Sequence, residues 1–131
     1  MTLRPLQHIL CADDDADMRM ILEVALGTLG GWRVTLAADG EEALASARAD
    51  RPDLILLDAS MVGGMGGAQT LAALRADPAL AAIPVVFVTG LATDADRASF
   101  QRFGAVDLIA KPFDPLTLAS RVKAIWQSLP G

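Results

Sequence analysis

The chain has 131 residues, of which 53% are hydrophobic and 21% are charged, and its formal net charge is −5. This composition predicts a folded globular protein with one domain over residues 1–131 and a core spanning about 7–129. The acidic balance argues against DNA or an anionic membrane as a direct partner, because phosphate groups bind to basic surfaces. No apolar run approaches the roughly 18 residues of a membrane span, and the first residues lack a signal-peptide pattern. We therefore expect a cytoplasmic protein.

Five short apolar runs alternate with segments in which apolar residues recur at helical spacing. The runs are His8–Ala12, Arg33–Ala37, Asp53–Leu57, Pro84–Val88 and Val106–Ala110. Short runs that mostly lack polar alternation are typical of strands buried on both faces of a sheet. The first run holds Cys11, the only cysteine, which excludes an internal disulfide and predicts a buried, unreactive thiol.

The intervening segments predict five helices. The first runs from about Met18 to Leu29 and stops at Gly30-Gly31, and the third covers about Ala68–Ala76. Start signals precede the other three helices: Asp39 with Glu42, Thr93 with Asp96, and Asp114 followed by Pro115. The alternation predicts an α/β fold, a (βα)₅ doubly wound five-stranded parallel sheet, in which ligands bind at the carboxyl ends of the strands.

Polar side chains collect at four of the five predicted carboxyl ends. These are Asp13, Asp14 and Asp15 after the first strand, Asp58 after the third, Thr89 after the fourth and Lys111 after the fifth. Each residue also has an ordinary structural interpretation: the three aspartates could cap the first helix, and Lys111 could be a solvated surface charge. The coincidence of all four strand ends favours a functional site.

Carboxylates gathered in one crevice repel one another, and a divalent cation would relieve that repulsion. All candidate ligands are oxygen atoms, which leaves Mg²⁺, Mn²⁺ and Ca²⁺ as candidates. A small, half-open site with one or two carboxylates and room for phosphate oxygens favours Mg²⁺. Zn²⁺ is disfavoured because the chain has one histidine and one cysteine.

Asp58 has the position of a nucleophile. It follows the apolar run Leu54–Leu57, which would hold its carboxylate at the floor of the crevice. A carboxylate can attack phosphorus and form an acyl phosphate. Lys111 could stabilise charge on the phosphoryl oxygens, and Thr89 could donate a hydrogen bond to one of them.

The chain resembles the receiver domain of bacterial two-component response regulators, including the chemotaxis regulators. The matching stretches are "HILCADDDADMRMIL", "DLILLDASM", "VVFVTG" and "GAVDLIAKPFDP", and the resemblance covers His8 to Leu129. It implies a flavodoxin-like strand order of 2-1-3-4-5 and Mg²⁺ as the cofactor. Asp58 resembles the phosphorylation site, Thr89 the switch hydroxyl and Lys111 the conserved lysine. The implied metal ligands are Asp13, Asp14, Asp58 and the backbone carbonyl of Ser60.

Two departures from the family pattern bear on switching. The loop Val62–Gly67 is glycine-rich, is one residue longer than usual and lacks the usual acidic residue. Leu108 stands where the family commonly has an aromatic residue that swings inward on phosphorylation. We expect the phosphoacceptor to be unaffected, and the output to use another surface or a weaker switch.

The resemblance favours a phosphorylation-controlled signalling switch, which accepts a phosphoryl group from a histidine kinase or a histidine phosphotransfer protein. Its output would be a protein partner or a homodimer formed through the face of the fourth helix, fifth strand and fifth helix. Since no effector segment precedes the end at Gly131, we expect no DNA-binding output. Two alternatives remain: a pseudo-receiver that is never phosphorylated, and an aspartyl-phosphate phosphohydrolase. The second is disfavoured because Ser60 stands where such an enzyme would need a general acid.

Overall fold

A computed structural model describes residues 4–61, 65–90 and 93–130. Five parallel strands form one sheet in the order β2-β1-β3-β4-β5, which confirms the order that the family resemblance implies. They are β1 (His8–Ala12), β2 (Arg33–Ala37), β3 (Leu54–Asp58), β4 (Val85–Thr89) and β5 (Asp107–Ala110). The last three strands begin one residue later than predicted.

Five α-helices connect and cover the strands. They are α1 (Ala16–Leu22), α2 (Gly40–Ala49), α3 (Gly67–Ala76), α4 (Asp94–Arg102) and α5 (Leu118–Ser128), and a π-helical segment (Glu23–Thr28) continues α1. Within the described residues, no helix is both long and apolar enough to cross a bilayer.

Both faces of the sheet are buried, and side chains alternate between them along each strand. Ile55 and Leu57 of β3 pack with α2, α3 and α4. Leu54 and Leu56 pack with α1, the π-helical segment and α5. This arrangement makes the sheet doubly wound and explains why β3 reads as an unbroken apolar run.

The first helix differs from the prediction because it widens into a π-helix after Leu22. The amide of Leu29 donates to the Val24 carbonyl at 2.9 Å, five residues back, in place of the usual four. The wider turn rotates later residues away from the core, so Leu29 is 55% exposed. Met20 of α1 is 66% exposed.

The fifth helix begins later than the Asp114-Pro115 signal predicts. The Asp114 side chain accepts a hydrogen bond from the Leu116 amide at 2.9 Å, and its carbonyl accepts one from the Thr117 amide at 3.1 Å. These bonds close a local turn, so the helix starts only at Leu118. The other two start signals are correct: Asp39 caps α2, and Thr93 forms a reciprocal capping box with Asp96 at α4.

Asp53 lies just before β3, and its carboxylate forms hydrogen bonds that hold the start of β1 in place. It accepts hydrogen bonds from the amides of Gln7 at 3.1 Å and His8 at 3.0 Å, and it forms an ion pair with Arg4. Burial acts to raise the pKa of Asp53, but the bonds from His8, Arg4 and Gln7 outweigh it and lower this pKa. The ionised carboxylate therefore stabilises the folded chain.

We expect Asp53→Asn to lower the free energy of unfolding by about 1–2 kcal/mol at neutral pH, because charged acceptors bind amides more strongly than neutral ones. Since the folded pKa is lower than the unfolded one, the stabilisation is complete above about pH 4 and is lost as the pH falls through the folded value. Urea unfolding of the wild type and of Asp53→Asn, at neutral pH and at about pH 3, measures the difference in their free energies of unfolding.

The matched control is Asp50→Asn, which removes the same charge from an exposed ion pair with Arg33. That variant should have little effect at either pH. A difference between wild type and Asp53→Asn that persists unchanged in acid would contradict the role assigned to the Asp53 charge.

Candidate functional site

The predicted site residues meet at one edge of the sheet. Asp58 and Thr89 are the last residues of β3 and β4, while Asp13 and Lys111 directly follow β1 and β5. These four strands are consecutive neighbours in the sheet, so their carboxyl ends lie side by side. The strand β2 ends in Ala37 and is followed by Ala38, so its carboxyl end offers no polar side chain to the site.

Three carboxylates form a tight cluster at this edge. One carboxylate oxygen each from Asp13, Asp14 and Asp58 lies within 4.8 Å of the other two. Asp13 and Asp58 are only 1% and 4% exposed, whereas Asp14 faces solvent. The cluster is therefore an all-oxygen donor set with one open side, which is the geometry that suits a hard divalent cation.

The surroundings of Asp58 disfavour its negative charge. Burial raises the pKa of Asp58, and the charges of Asp13 and Asp14 raise it further. The Ser60 amide donates to Asp58 Oδ1 at 2.9 Å and opposes this effect, as does the charge of Lys111. The net direction is upward, so bringing a cation to the cluster would favour the ionised carboxylate.

Lys111 supplies one positive charge to the cluster. Its Nζ atom lies 2.9 Å from Asp13 Oδ2 and 3.5 Å from Asp58 Oδ1. Burial acts to lower the pKa of Lys111, but the hydrogen bond and charge of Asp13, together with Asp58, raise it overall. The ammonium therefore stays charged and bridges two carboxylates.

Thr89 lies between Asp58 and Lys111 in the lateral order of the sheet. It is buried, and its backbone carbonyl accepts a hydrogen bond from the Lys111 amide at 2.8 Å. Asp58 pairs with Val88, the residue before Thr89, so the two side chains emerge at adjacent strand ends.

The aspartates that follow β1 have two different roles, helix capping and membership of the carboxylate cluster, which the sequence left as alternatives. Asp15 caps α1 by accepting from the Asp17 amide at 2.9 Å, while Asp13 and Asp14 belong to the cluster. The Asp15 amide also donates to Asp13 Oδ1 at 2.9 Å and fixes that side chain. Arg19 donates to the Asp13 carbonyl at 2.8 Å, a contact that sequence spacing could not reveal because it depends on how α1 packs.

The glycine-rich loop after Asp58 is partly described. Val62, Gly63 and Gly64 lie outside the described residues, while Gly66 caps α3 and Gly67 begins it. A Cβ atom at Gly67 would lie 2.7 Å from the Asp58 carbonyl oxygen, so only glycine lets α3 approach this closely. Gly67 is therefore the residue at which α3 packs against the end of β3 beside the site, although the sequence analysis assigned it to a loop.

Leu108 is buried in the core cluster against which Phe100 of α4 packs. The aromatic residues nearest to it in that core form a pair, since the rings of Phe87 and Phe100 lie 4.7 Å apart.

Known proteins resemble this chain over most of its length. A family model described as "Response regulator receiver domain" matches residues 9–123. The DNA-binding response regulator MtrA of Mycobacterium tuberculosis is 39% identical over 118 residues, which cover 90% of this chain and 50% of that protein. A probable transcriptional regulator, ycf27 of Guillardia theta, is 37% identical over 121 residues, which cover 91% of this chain and 45% of that protein. This chain thus spans about half the length of these relatives.

Solved structures match over nearly the whole of both chains. The chemotaxis response regulator CheY4 of Vibrio cholerae has a TM-score of 0.84 and 29% identity, covering 92% of this chain and 99% of that one. A putative response regulator from Chloroflexus aurantiacus has a TM-score of 0.82 and 31% identity, covering 94% and 99%.

Proposed function

The chain belongs to the response regulator receiver domain family of two-component signalling, and from that premise we propose that it is a phosphorylation-controlled switch whose phosphoacceptor is Asp58. A carboxylate oxygen of Asp58 attacks the phosphorus of a phosphohistidine on a histidine kinase or a histidine phosphotransfer protein. A P–O bond forms, the P–N bond breaks, and the imidazole leaves. The product is an acyl phosphate on Asp58.

The residues at the site fit Mg²⁺ as the cofactor. Asp13, Asp14, Asp58 and the Ser60 carbonyl would hold it, because the three carboxylates converge and one side of the cluster is open. When bound, the ion offsets the charge of the carboxylates and of the phosphoryl oxygens. The Ser60 carbonyl role is an inference from the family, since the described contact of Ser60 is made by its amide.

Two side chains would act on the phosphoryl group itself. Lys111 already lies 3.5 Å from Asp58, so its ammonium is in place to attract a phosphoryl oxygen. The Thr89 hydroxyl, at the adjacent strand end, would donate a hydrogen bond to another such oxygen. The observation that carries the proposal is that buried Asp58 shares one site with two further carboxylates and this ammonium.

The output would be a change in the face formed by α4, β5 and α5, which would bind a downstream protein or a second copy of the chain. Asp107 of β5 forms ion pairs with Arg97 of α4 and, at 3.7 Å, with Arg121 of α5. A shift of α4 would therefore change which of these ion pairs form on this face. Because Leu108 replaces the usual aromatic residue, a weaker switch or an output through another surface is the alternative to this face.

The remaining assignments are also proposals. We propose that residues 1–131 form a single domain, that it acts in the cytoplasm, and that it is a phosphoacceptor and not an enzyme acting on external substrates. Its net charge of −5 disfavours direct contact with nucleic acid. The absence of nucleic-acid contact is proposed for residues 1–131 alone, because the relative MtrA, which is named as DNA-binding, is about twice as long.

A titration with beryllofluoride, a phosphoryl mimic, tests the proposal when followed by backbone amide NMR. We expect a saturable change that requires Mg²⁺, centred on the site and extending to α4, β5 and α5. Amide signals are preferable to tryptophan fluorescence, because Trp32 and Trp126 lie at the amino ends of the strands. No change at millimolar Mg²⁺ would instead favour the pseudo-receiver, an interaction module that is not phosphorylated.

A further inference from the structure

A groove of about 600 Å³ lies at the end of the sheet opposite the acidic cluster. Its walls are the segment leading into β1, the chain just after the π-helical segment, and α5. Trp32 immediately precedes β2 and Arg4 precedes β1, which places the groove at the amino ends of the strands. The volume is within the range of about 300–1,000 Å³ that is typical of small-molecule sites.

Two indoles, Trp32 and Trp126, line the groove, and hydrogen bonds hold both residues in place. Trp126 is buried, and its Nε1 donates to the Arg4 carbonyl at 3.0 Å. The Trp32 amide donates to the Leu26 carbonyl at 3.2 Å, at the end of the π-helical segment. Beside them, Leu29 presents an exposed aliphatic wall because the π-helical turn rotates it off the core. The half-buried Trp32 and the exposed Leu29 therefore offer apolar surface that favours a flat apolar ligand.

The charge of the groove is opposite to that of the whole chain. The chain carries 16 acidic and 11 basic residues, yet the described residues that line the groove include Arg4 and Lys123 and no aspartate or glutamate. Arg4 lies 5.5 Å from the centre of the Trp126 ring and pairs with Asp53 outside the groove. Lys123 makes no ion pair with any residue in the described ranges, so its charge is available to a ligand.

We propose that this groove binds a small organic anion with a flat apolar body, that is, an aryl carboxylate. The aromatic body lies against Trp32 and Leu29, and the anionic group meets Lys123, with Arg4, whose guanidinium lies over the Trp126 ring, as the second cation. Stacking and charge then act together, because the anion lies at the rim while the ring displaces water from Trp32. The site is separate from Asp58 and does not depend on phosphorylation.

Titration of the full chain with 2-naphthoate tests this, read out by the indole N–H signals in ¹H–¹⁵N NMR spectra. The chain has two tryptophans, and both line the groove, so these two signals report on the site directly. We expect both to shift saturably with 2-naphthoate. The cationic analogue 2-naphthylmethylammonium, which has the same ring system, should leave them nearly unmoved.

Lys123→Gln should weaken 2-naphthoate binding roughly two- to fivefold, the effect of one partly exposed charge pair. The control Arg48→Gln removes an exposed positive charge from α2, on the opposite face of the sheet, and should leave binding unchanged. The proposal is overturned by unmoved indole signals at about 10 mM 2-naphthoate, by equal binding of the cationic analogue, or by undiminished binding in Lys123→Gln.

Discussion

Asp58→Ala is expected to abolish phosphoryl uptake completely while the chain remains folded. The acyl phosphate can form only on this carboxylate if the assignment is right, because Asp13 and Asp14 would be occupied as metal ligands. Folding should tolerate the change, since burial and neighbouring charges already disfavour the ionised form of Asp58 and raise its pKa. Removing that charge relieves repulsion within the cluster.

The measurement is incorporation of a hydroxylamine-labile phosphoryl group from a small-molecule phosphodonor in the presence of Mg²⁺, followed by intact-protein mass. Asp17→Asn is the matched control, because it removes an acidic charge from the exposed first turn of α1, close to the site. That variant should be labelled like the wild type. Retained labelling of Asp58→Ala would refute the assignment of the phosphoacceptor.

Lys111→Ala is expected to separate metal binding from the response to phosphate. The ammonium lies 2.9 Å from Asp13 and 3.5 Å from Asp58, so it partly neutralises the carboxylates that would hold Mg²⁺. Without it the cluster is more negative, and Mg²⁺ affinity should be unchanged or higher. Phosphoryl uptake should slow by about 100-fold, the usual cost of losing one well-placed stabiliser of transition-state charge.

Calorimetric titration with Mg²⁺ and the initial rate of phosphoryl incorporation measure the two effects. Lys123→Ala is the control, because Lys123 is the only other lysine of the chain and lies in the distant groove. It should leave both quantities unchanged. A large fall in Mg²⁺ affinity in Lys111→Ala would show that Lys111 organises the metal ligands and would contradict the role given to it.

The candidate site could be predicted from the sequence because its residues follow apolar runs directly. A short apolar run such as Leu54–Leu57 favours a buried strand, and parallel strands bring their carboxyl ends to one edge. Asp13, Asp58 and Lys111 were therefore placed together correctly from positions far apart in the chain. Their roles in phosphoryl transfer and metal binding remain predictions.

Contacts that depend on how elements pack could not be predicted in this way. The bond from Arg19 to the Asp13 carbonyl requires the orientation of α1. The close approach of Gly67 to Asp58 requires the position of α3. The later start of α5 reflects competition between the Asp114 side chain and the helix, which a capping signal alone does not resolve.

By itself, the sequence determined the alternation of strands and helices along the chain, because hydrophobic periodicity distinguishes the two. It also determined the parallel sheet and the edge at which the polar residues meet, because these follow from the connectivity of that alternation. Only the tertiary structure decided the π-helical widening after Leu22, which exposes Leu29. It also decided the meeting of Trp32, Trp126 and Lys123 in one groove. These features arise from side-chain packing between segments that are distant in the sequence, and local sequence patterns do not predict such packing.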